Sequence, residues 1–381
     1  MLATRREIPS DLRNRTRVVA LCVLGIAVNA LLFGPSLQVT LQGRNDFMNI
    51  YSGTHLAFTD GMYDVPSNLR VMQDAAGWQN VNRLFNRPPF YALLMWPLGR
   101  LPFLTASHLW EILVLATIVL FCLLWPGDRK TTALVCCWSL PLFHVFANGQ
   151  DVAILLVLIA LATRAMRKGR DTTAGLLFSL CSIKFHLLLL LPLLILGQRR
   201  WRFLGGMATG GAVLAILSFP PGGWDWPVKY LRLLLNPIGN PWPDRMPSVQ
   251  GISSSLPYSG LWTTAGITAV VLLTWWAVRK GGFEYGLAAV LVGGILVAPH
   301  VFLSDCAMAV PALLITMPLA AGPWRRNFHY FLLSPVCYIW ALIGPAWLTG
   351  VALILYLVSI AIGESVRQRI GSVDNVCLAK P

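Results

Sequence analysis

Apolar runs of 12 to 23 residues alternate along the chain with short polar breaks, and seven of those breaks are basic. The basic clusters lie at 5–17, 129–130, 164–170, 199–202, 279–280, 325–326 and 367–369. Loops rich in Lys and Arg stay on the cytoplasmic side of a membrane, so placing every cluster inside fixes a path. It predicts twelve crossings, at about 17–36, 103–125, 131–147, 151–165, 172–184, 186–197, 203–219, 259–279, 284–299, 303–321, 328–346 and 348–364. Both termini fall inside. A first long outside loop spans 37–102 and a second 220–258. Several crossings are shorter than the roughly 20 residues a bilayer requires, which predicts helices that stop at a water-filled cavity.

One apolar stretch is not counted. Crossing at "RPPFYALLMWPLGRLP" would reverse every later loop and put the basic clusters outside. It reads instead as an amphipathic helix on the outer surface, started by Pro88 and Pro89 and ended near Gly99. The expected fold class is an all-α integral membrane protein in a single polytopic domain, 1–381.

Composition agrees with that class. Hydrophobic residues make up 56% of the chain and charged residues 12%, with a mean hydropathy of +0.63. A soluble domain carries about twice that charge. The net charge of +14 would suit nucleic acid if it formed a patch, but it is divided among the loops, so nucleic acid is excluded as a partner. The eight Cys form no C-x-x-C pair and no metal-ligand spacing, and read as packing residues. The basic-flanked run 18–33 lacks a small-residue cleavage site and reads as a signal anchor.

The predicted outer face collects the unusual residues. The first loop contributes Arg44, Asp46, His55, Asp60, Asp64, Arg83, Arg87 and Tyr91. The "NGQD" turn brings Asn148, Gln150 and Asp151, and "IKFH" brings Lys184 and His186. Asp225, Asp244 and Arg245 follow in the second loop, then His300 and Asp305 in "APHVFLSD". Acids, bases and amides converging on one side describe a polar cavity near the outer leaflet. Each member also has a plainer reading. Asp46 could pair with Arg44 or cap a helix, Lys184 could snorkel, and His300 could pair with Asp305. "NGQ" is an ordinary turn, and Asp60–Pro66 is turn chemistry.

Taken in order, "NDFMNIYSGTHLAFTDGMYDV", "NRPPFYALLMWPLGRLP", "HLW", "NGQDVAILLVLIALA", "AGLLFSLCSIKFHLLLLLPLLI" before "RRW", "PDRMPSVQGI" and "VAPHVFLSDCAMAVPALL" resemble glycosyltransferase family 87. The resemblance covers about residues 17–320. It implies the GT-C fold, with surface-lying helices in the first outside loop. It also implies a donor sugar, mannose being the best-known case, on a polyprenyl phosphate. Asp46 matches the family's acid at the start of that loop and is the expected general base of an inverting transfer. Lys184 and His300 match residues expected at the donor phosphate, with Arg87 a third. Tyr91, Asn148, Gln150, His55 and Asp305 are expected at the substrate. No metal or cofactor is expected; the acceptor is lipid- or glycan-linked. Where the family has Pro soon after its Lys, this chain has Phe185 and His186, which leaves the local backbone and any role of His186 open. A transporter or flippase, a different outer-face enzyme and an inactive scaffold are the rival readings. One-sided polar residues argue against the first, thin support around His300 against the second, and retained Asp46, Lys184 and His300 against the third.

Overall fold

The computed structural model describes residues 10–236, 242–320 and 322–378; Arg5 and Arg6 of the first basic cluster and residues 237–241 of the second long loop lie outside them. All regular structure among the described residues is helical. In chain order, α1 (Ser10–Leu41) leads to three short helices, α2 (Phe47–His55), α3 (Val65–Ala76) and α4 (Pro89–Met95). Next come α5 (Phe103–Leu124), α6 (Arg129–Trp138), α7 (Leu140–Ala147) and α8 (Val152–Arg167). From α9 (Asp171–Leu180) the chain passes through a 3-10 stretch, Cys181–Leu188, into α10 (Leu191–Gly197), α11 (Trp201–Gly222) and α12 (Trp226–Leu234). After α13 (Val249–Ser253), α14 (Ser259–Lys280) and α15 (Phe283–Val297), a 3-10 turn at Leu303–Met308 opens α16 (Ala309–Thr316). α17 (Pro323–Leu333), α18 (Pro335–Ile343) and α19 (Trp347–Leu378) complete the chain.

Four helical segments are long and apolar enough to cross a membrane: Arg15–Gly34 of α1, α5, α11 and α14. Two bent pairs raise the count to six, α6 with α7 at 67° and Asp171–Leu188 with α10 at 112°. The apolar exterior is what lipid demands. α5 buries Trp110, Val114 and Phe121 along one stripe while Ile112, Leu115 and Val119 stand at least half exposed. This is a membrane protein.

The two bends have local causes. Ser139 sits in the extended region and its Oγ accepts from Leu142 N, capping α7, while Pro141 in the first turn keeps Leu140 from continuing α6. The 131–147 crossing expected to be one rod is therefore broken. Lys184, at φ −129° and ψ 58°, interrupts its 3-10 stretch, and Pro192 starts α10 beyond the second bend. The stretch expected on the outer surface is also shorter than predicted. α4 ends at Met95, a 3-10 turn follows at Leu98–Arg100, and the buried face of α4 packs on α11, where Ser218 Oγ accepts from Phe90 N at 3.1 Å.

Close packing aims the middle of the bundle at one place. α15 is buried at every position from Tyr285 to Val297, and a Cβ on Gly294 would stand 2.1 Å from the Leu187 carbonyl. Glycine there lets α15 press against the 3-10 stretch that carries Lys184. α9 and α11 meet in the same way, Gly175 against the Phe203 carbonyl and Gly206 against the Thr172 carbonyl.

The loops sort to two ends. Arg167 pairs with Glu284 at 2.6 Å and reaches the Pro126 carbonyl, and Arg200 pairs with Asp171 at 3.0 Å and lies over the Phe283 ring. Those contacts tie the basic loops together. At the other end Asp46 N donates to Asn148 O at 3.0 Å, Trp110 Nε1 to Gly149 O at 2.8 Å, and Phe58 N to Pro221 O at 2.9 Å.

Candidate active site

The polar turns meet in a cavity of about 280 Å³ at that second end. Its floor is the turn Asn148–Asp151 between α7 and α8. Gly149 takes φ +62°, where a side chain would be strained, and a Cβ there would also stand 3.0 Å from Asn45 Oδ1. Two carbonyls of the turn and the one before it are held from outside, Ala147 by Thr40, Asn148 by the Asp46 amide and Gly149 by Trp110. The turn is thus rigid; it presents Asn148 and Gln150 to the cavity and buries Asp151 behind them.

Asp46 stands at the N-cap of α2 but makes no side-chain bond to that helix. Its Oδ2 accepts from Asn148 Nδ2 at 2.6 Å and from Gln150 Nε2, and its Oδ1 from Arg83 Nη1. The pairing with Arg44 that the sequence left open is not made; Arg83 takes that place. A carboxylate offers about four lone-pair sites, so three donors leave one, on Oδ1.

Asp151 is the N-cap of α8 and likewise leaves its helix uncapped. Arg87 Nε meets its Oδ2 at 2.7 Å and Arg87 Nη2 its Oδ1 at 3.1 Å. Lys184 Nζ lies 3.5 Å from Asp151 Oδ1, 2.8 Å from Asp305 Oδ1 and 2.7 Å from Gln150 Oε1. All four charged side chains are at least 95% buried. Burial opposes the charge of Arg87, yet the facing Asp151 keeps it protonated. Two cations and two anions cancel. Asp305 also accepts from Phe302 N at 2.9 Å beside its pairing with Lys184.

The cavity thereby gathers Asp46, Arg87, Asn148, Gln150, Lys184, His300 and Asp305 from the residues expected at the site. His55 and Tyr91 are not among its lining. His55 is nine residues from Asp46, and nine steps of about 100° put it on the opposite face of α2. There it is exposed, with Nδ1 3.1 Å from the Gly99 carbonyl. Tyr91 is wholly buried behind the Arg87–Asp151 pair, and its hydroxyl has no partner among the described residues. Arg83 and Asp151 were visible in sequence only as members of the polar set, without a role. Arg245, also in that set, lines the mouth with its guanidinium 5.5 Å from the Trp242 ring. No group of three His, Cys, Asp or Glu that could hold a metal ion occurs among the described residues.

A second, mostly apolar cleft of about 210 Å³ adjoins the first. His186, His300 and Asn86 line both, and Phe185, Leu189, Leu233 and Leu234 continue the cleft away from the charges. Phe185 and Leu189 also edge a largely apolar groove of about 500 Å³ between the 3-10 stretch, α10 and α11. A charged cavity therefore opens onto a path suited to a hydrocarbon chain.

No solved structure matches the chain. Over 300 residues it is 28% identical to the polyprenol-phosphate-mannose-dependent alpha-(1-2)-phosphatidylinositol pentamannoside mannosyltransferase of Mycolicibacterium smegmatis, an alignment covering 70% of this chain and 68% of that protein. The model of glycosyltransferase family 87 matches residues 85–305, a stretch that starts after Asp46 but contains Arg87, Asn148, Gln150, Lys184, His300 and Asp305. That match spans more than half of the sequence, and the chain belongs to glycosyltransferase family 87.

Proposed function

We propose that this enzyme transfers mannose from a polyprenyl-phosphate donor to a lipid- or glycan-linked acceptor hydroxyl on the outer face of the membrane, inverting the anomeric centre, with Asp46 as general base. The observation that carries this reading is the junction at His186 and His300, where the charged cavity meets the apolar cleft. A headgroup of sugar and phosphate fits the first and an isoprenoid tail the second. The donor named for the Mycolicibacterium relative has that chemistry.

Asp46 keeps one lone-pair site on Oδ1, and the acceptor hydroxyl docks there, beside Arg83. As its oxygen bonds to the anomeric carbon, its proton passes to Asp46, and the bond from that carbon to the phosphate oxygen breaks on the opposite face. Charge develops on the sugar as an oxocarbenium ion and on the departing phosphate. His300 meets that phosphate, and Lys184, held at the cavity wall by Asp305 and Gln150, adds its charge; Arg87, whose three nitrogens bond Asp151 and Asn86, acts by fixing Asp151. Asn148 orients Asp46, and Asp305 orients Lys184.

The fold we assign is GT-C, with twelve crossings and both termini inside. α2 to α4 lie at the outer surface in the loop 37–102, and α12 in the loop 220–258. Sorting of the basic loops to one end and the cavity to the other supports this orientation. Purified protein supplied with polyprenyl-phosphate mannose and an extract of membrane lipids should give a mannosylated product. Nucleotide-linked mannose should give none. Transfer from the nucleotide donor alone would refute the donor assignment.

A further inference from the structure

Gln150 touches both the base and the phosphate-side cation. Its backbone is set by the turn, with its amide N donating to the Val145 carbonyl at 2.9 Å just after Gly149. Its side chain is 8% exposed. Nε2 donates to Asp46 Oδ2, and Oε1 accepts from Lys184 Nζ at 2.7 Å. The amide has only one workable orientation here. Turned over, its oxygen would face a carboxylate and its NH2 an ammonium, two repulsions in place of two charge-assisted bonds. Lys184 is itself clamped by Asp305 and Asp151, and Asp151 by Arg87. One bonded chain, Arg87–Asp151–Lys184–Gln150–Asp46–Arg83, thus joins the two halves of the site.

We propose that Gln150 is a positioning residue through which Lys184 orients the general base. This rests on the reading of Asp46 as base, and it departs from the sequence expectation that Gln150 binds the substrate. Nε2 and Oε1 each carry one charge-assisted bond, which fixes the plane of the amide and leaves it one N–H and one lone pair that cannot turn to follow a sugar. Its work is to hold Oδ2 of Asp46 so that the open site on Oδ1 faces the acceptor as the proton moves. Without Gln150, Oδ2 keeps one donor, Asn148, and the carboxylate is held only by Asn148 and the partly exposed Arg83. Lys184 therefore serves the reaction twice, at the phosphate and through Gln150 at the base.

The test is steady-state kinetics across pH for Gln150→Met and Gln150→Glu beside wild type. In Gln150→Met, kcat should fall about ten- to a hundredfold, the scale of one hydrogen bond to a charge. KM for donor and acceptor should stay within about threefold, the split expected of a group that acts only on the reacting base. The acid limb of the profile should move to higher pH, because a carboxylate that loses a donor is protonated more easily. Gln150→Glu keeps an acceptor for Lys184 but sets a second carboxylate against Asp46, so its acid limb should move further. The other titratable groups around the cavity are Arg83, Arg87, His144, Lys184, His186, Arg245, His300 and Asp305, and neither variant replaces them. Lys184→Met should move the limb in the same direction, and the double variant no further than either single one. A raised donor KM with an unmoved limb would overturn the proposal and make Gln150 a sugar ligand. Asp46→Asn separates the two claims. If it is active, the base reading fails; if it is inactive while Gln150→Met changes only KM, the positioning role alone fails.

Discussion

Arg87 grips Asp151 through two parallel hydrogen bonds, 2.7 Å and 3.1 Å, with 5% of one side chain and none of the other exposed. Breaking such a pair from one side leaves a buried charge without its partner, at a cost of about 3–5 kcal/mol. Arg87→Met should therefore lower the thermal midpoint of the detergent-solubilised protein sharply, and Arg87→Met with Asp151→Leu should recover part of the loss. An unchanged midpoint in Arg87→Met would contradict this account of the quartet.

Gly149 is the second point of strain. Gly149→Ala puts a Cβ at φ +62° and 3.0 Å from Asn45 Oδ1, and the left-handed region alone costs an ordinary residue about 1–2 kcal/mol. Asn148 and Gln150 would shift with the turn, so kcat should fall at least tenfold while the protein still purifies as a monodisperse species. Activity within twofold of wild type would show that the turn need not be rigid.

Two residues expected at the substrate should prove dispensable. His55→Ala removes an exposed ring on the far face of α2, and transfer rates should stay within about twofold. Tyr91→Phe deletes a buried hydroxyl that has no partner among the described residues, so stability should hold or rise slightly. A large loss of activity in either, measured in the same transfer assay, would mean that the substrate reaches beyond the cavity described.

The pattern of apolar runs and basic loops was legible because lipid imposes it residue by residue. Breaks such as Ser139–Pro141 were harder to see, since a hydropathy count treats a bent pair as one rod. The site was legible as a set of polar residues on one side, and less so as a set of roles. Four aspartates illustrate the difficulty, for Asp46, Asp64, Asp128 and Asp151 all stand at helix starts. Asp64 and Asp128 cap their own helices, accepting from Ser67 N at 3.0 Å and Thr131 N at 2.7 Å. Asp46 and Asp151 do not, because partners 37 to 104 residues away claim their oxygens. One local signal separates them. The two caps have Ser or Thr three positions on, whereas the site acids have Asn49 and Ile154. His55 was assigned to the substrate for want of the helix rotation that carries it away, and Arg83 was passed over because its partner could be named only in three dimensions.

Lys184 is expected to act mainly through the donor phosphate. Lys184→Met should raise donor KM by roughly tenfold or more, the loss of one charge-assisted contact, in addition to its effect through Gln150. Titration with a non-transferable polyprenyl phosphate checks this directly. An unaltered affinity would remove Lys184 from the phosphate site.

The central claim is that Asp46 takes the acceptor proton, and single-turnover transfer by Asp46→Asn tests it most directly. Asn keeps the shape of the side chain and some of its hydrogen bonds but cannot accept the proton. With donor binding retained in the same preparation, the chemical step should slow by about 10²–10⁴-fold. A rate within a few fold of wild type, in a variant that binds donor normally, would contradict the assignment and return the search for the base to the remaining acids of the cavity.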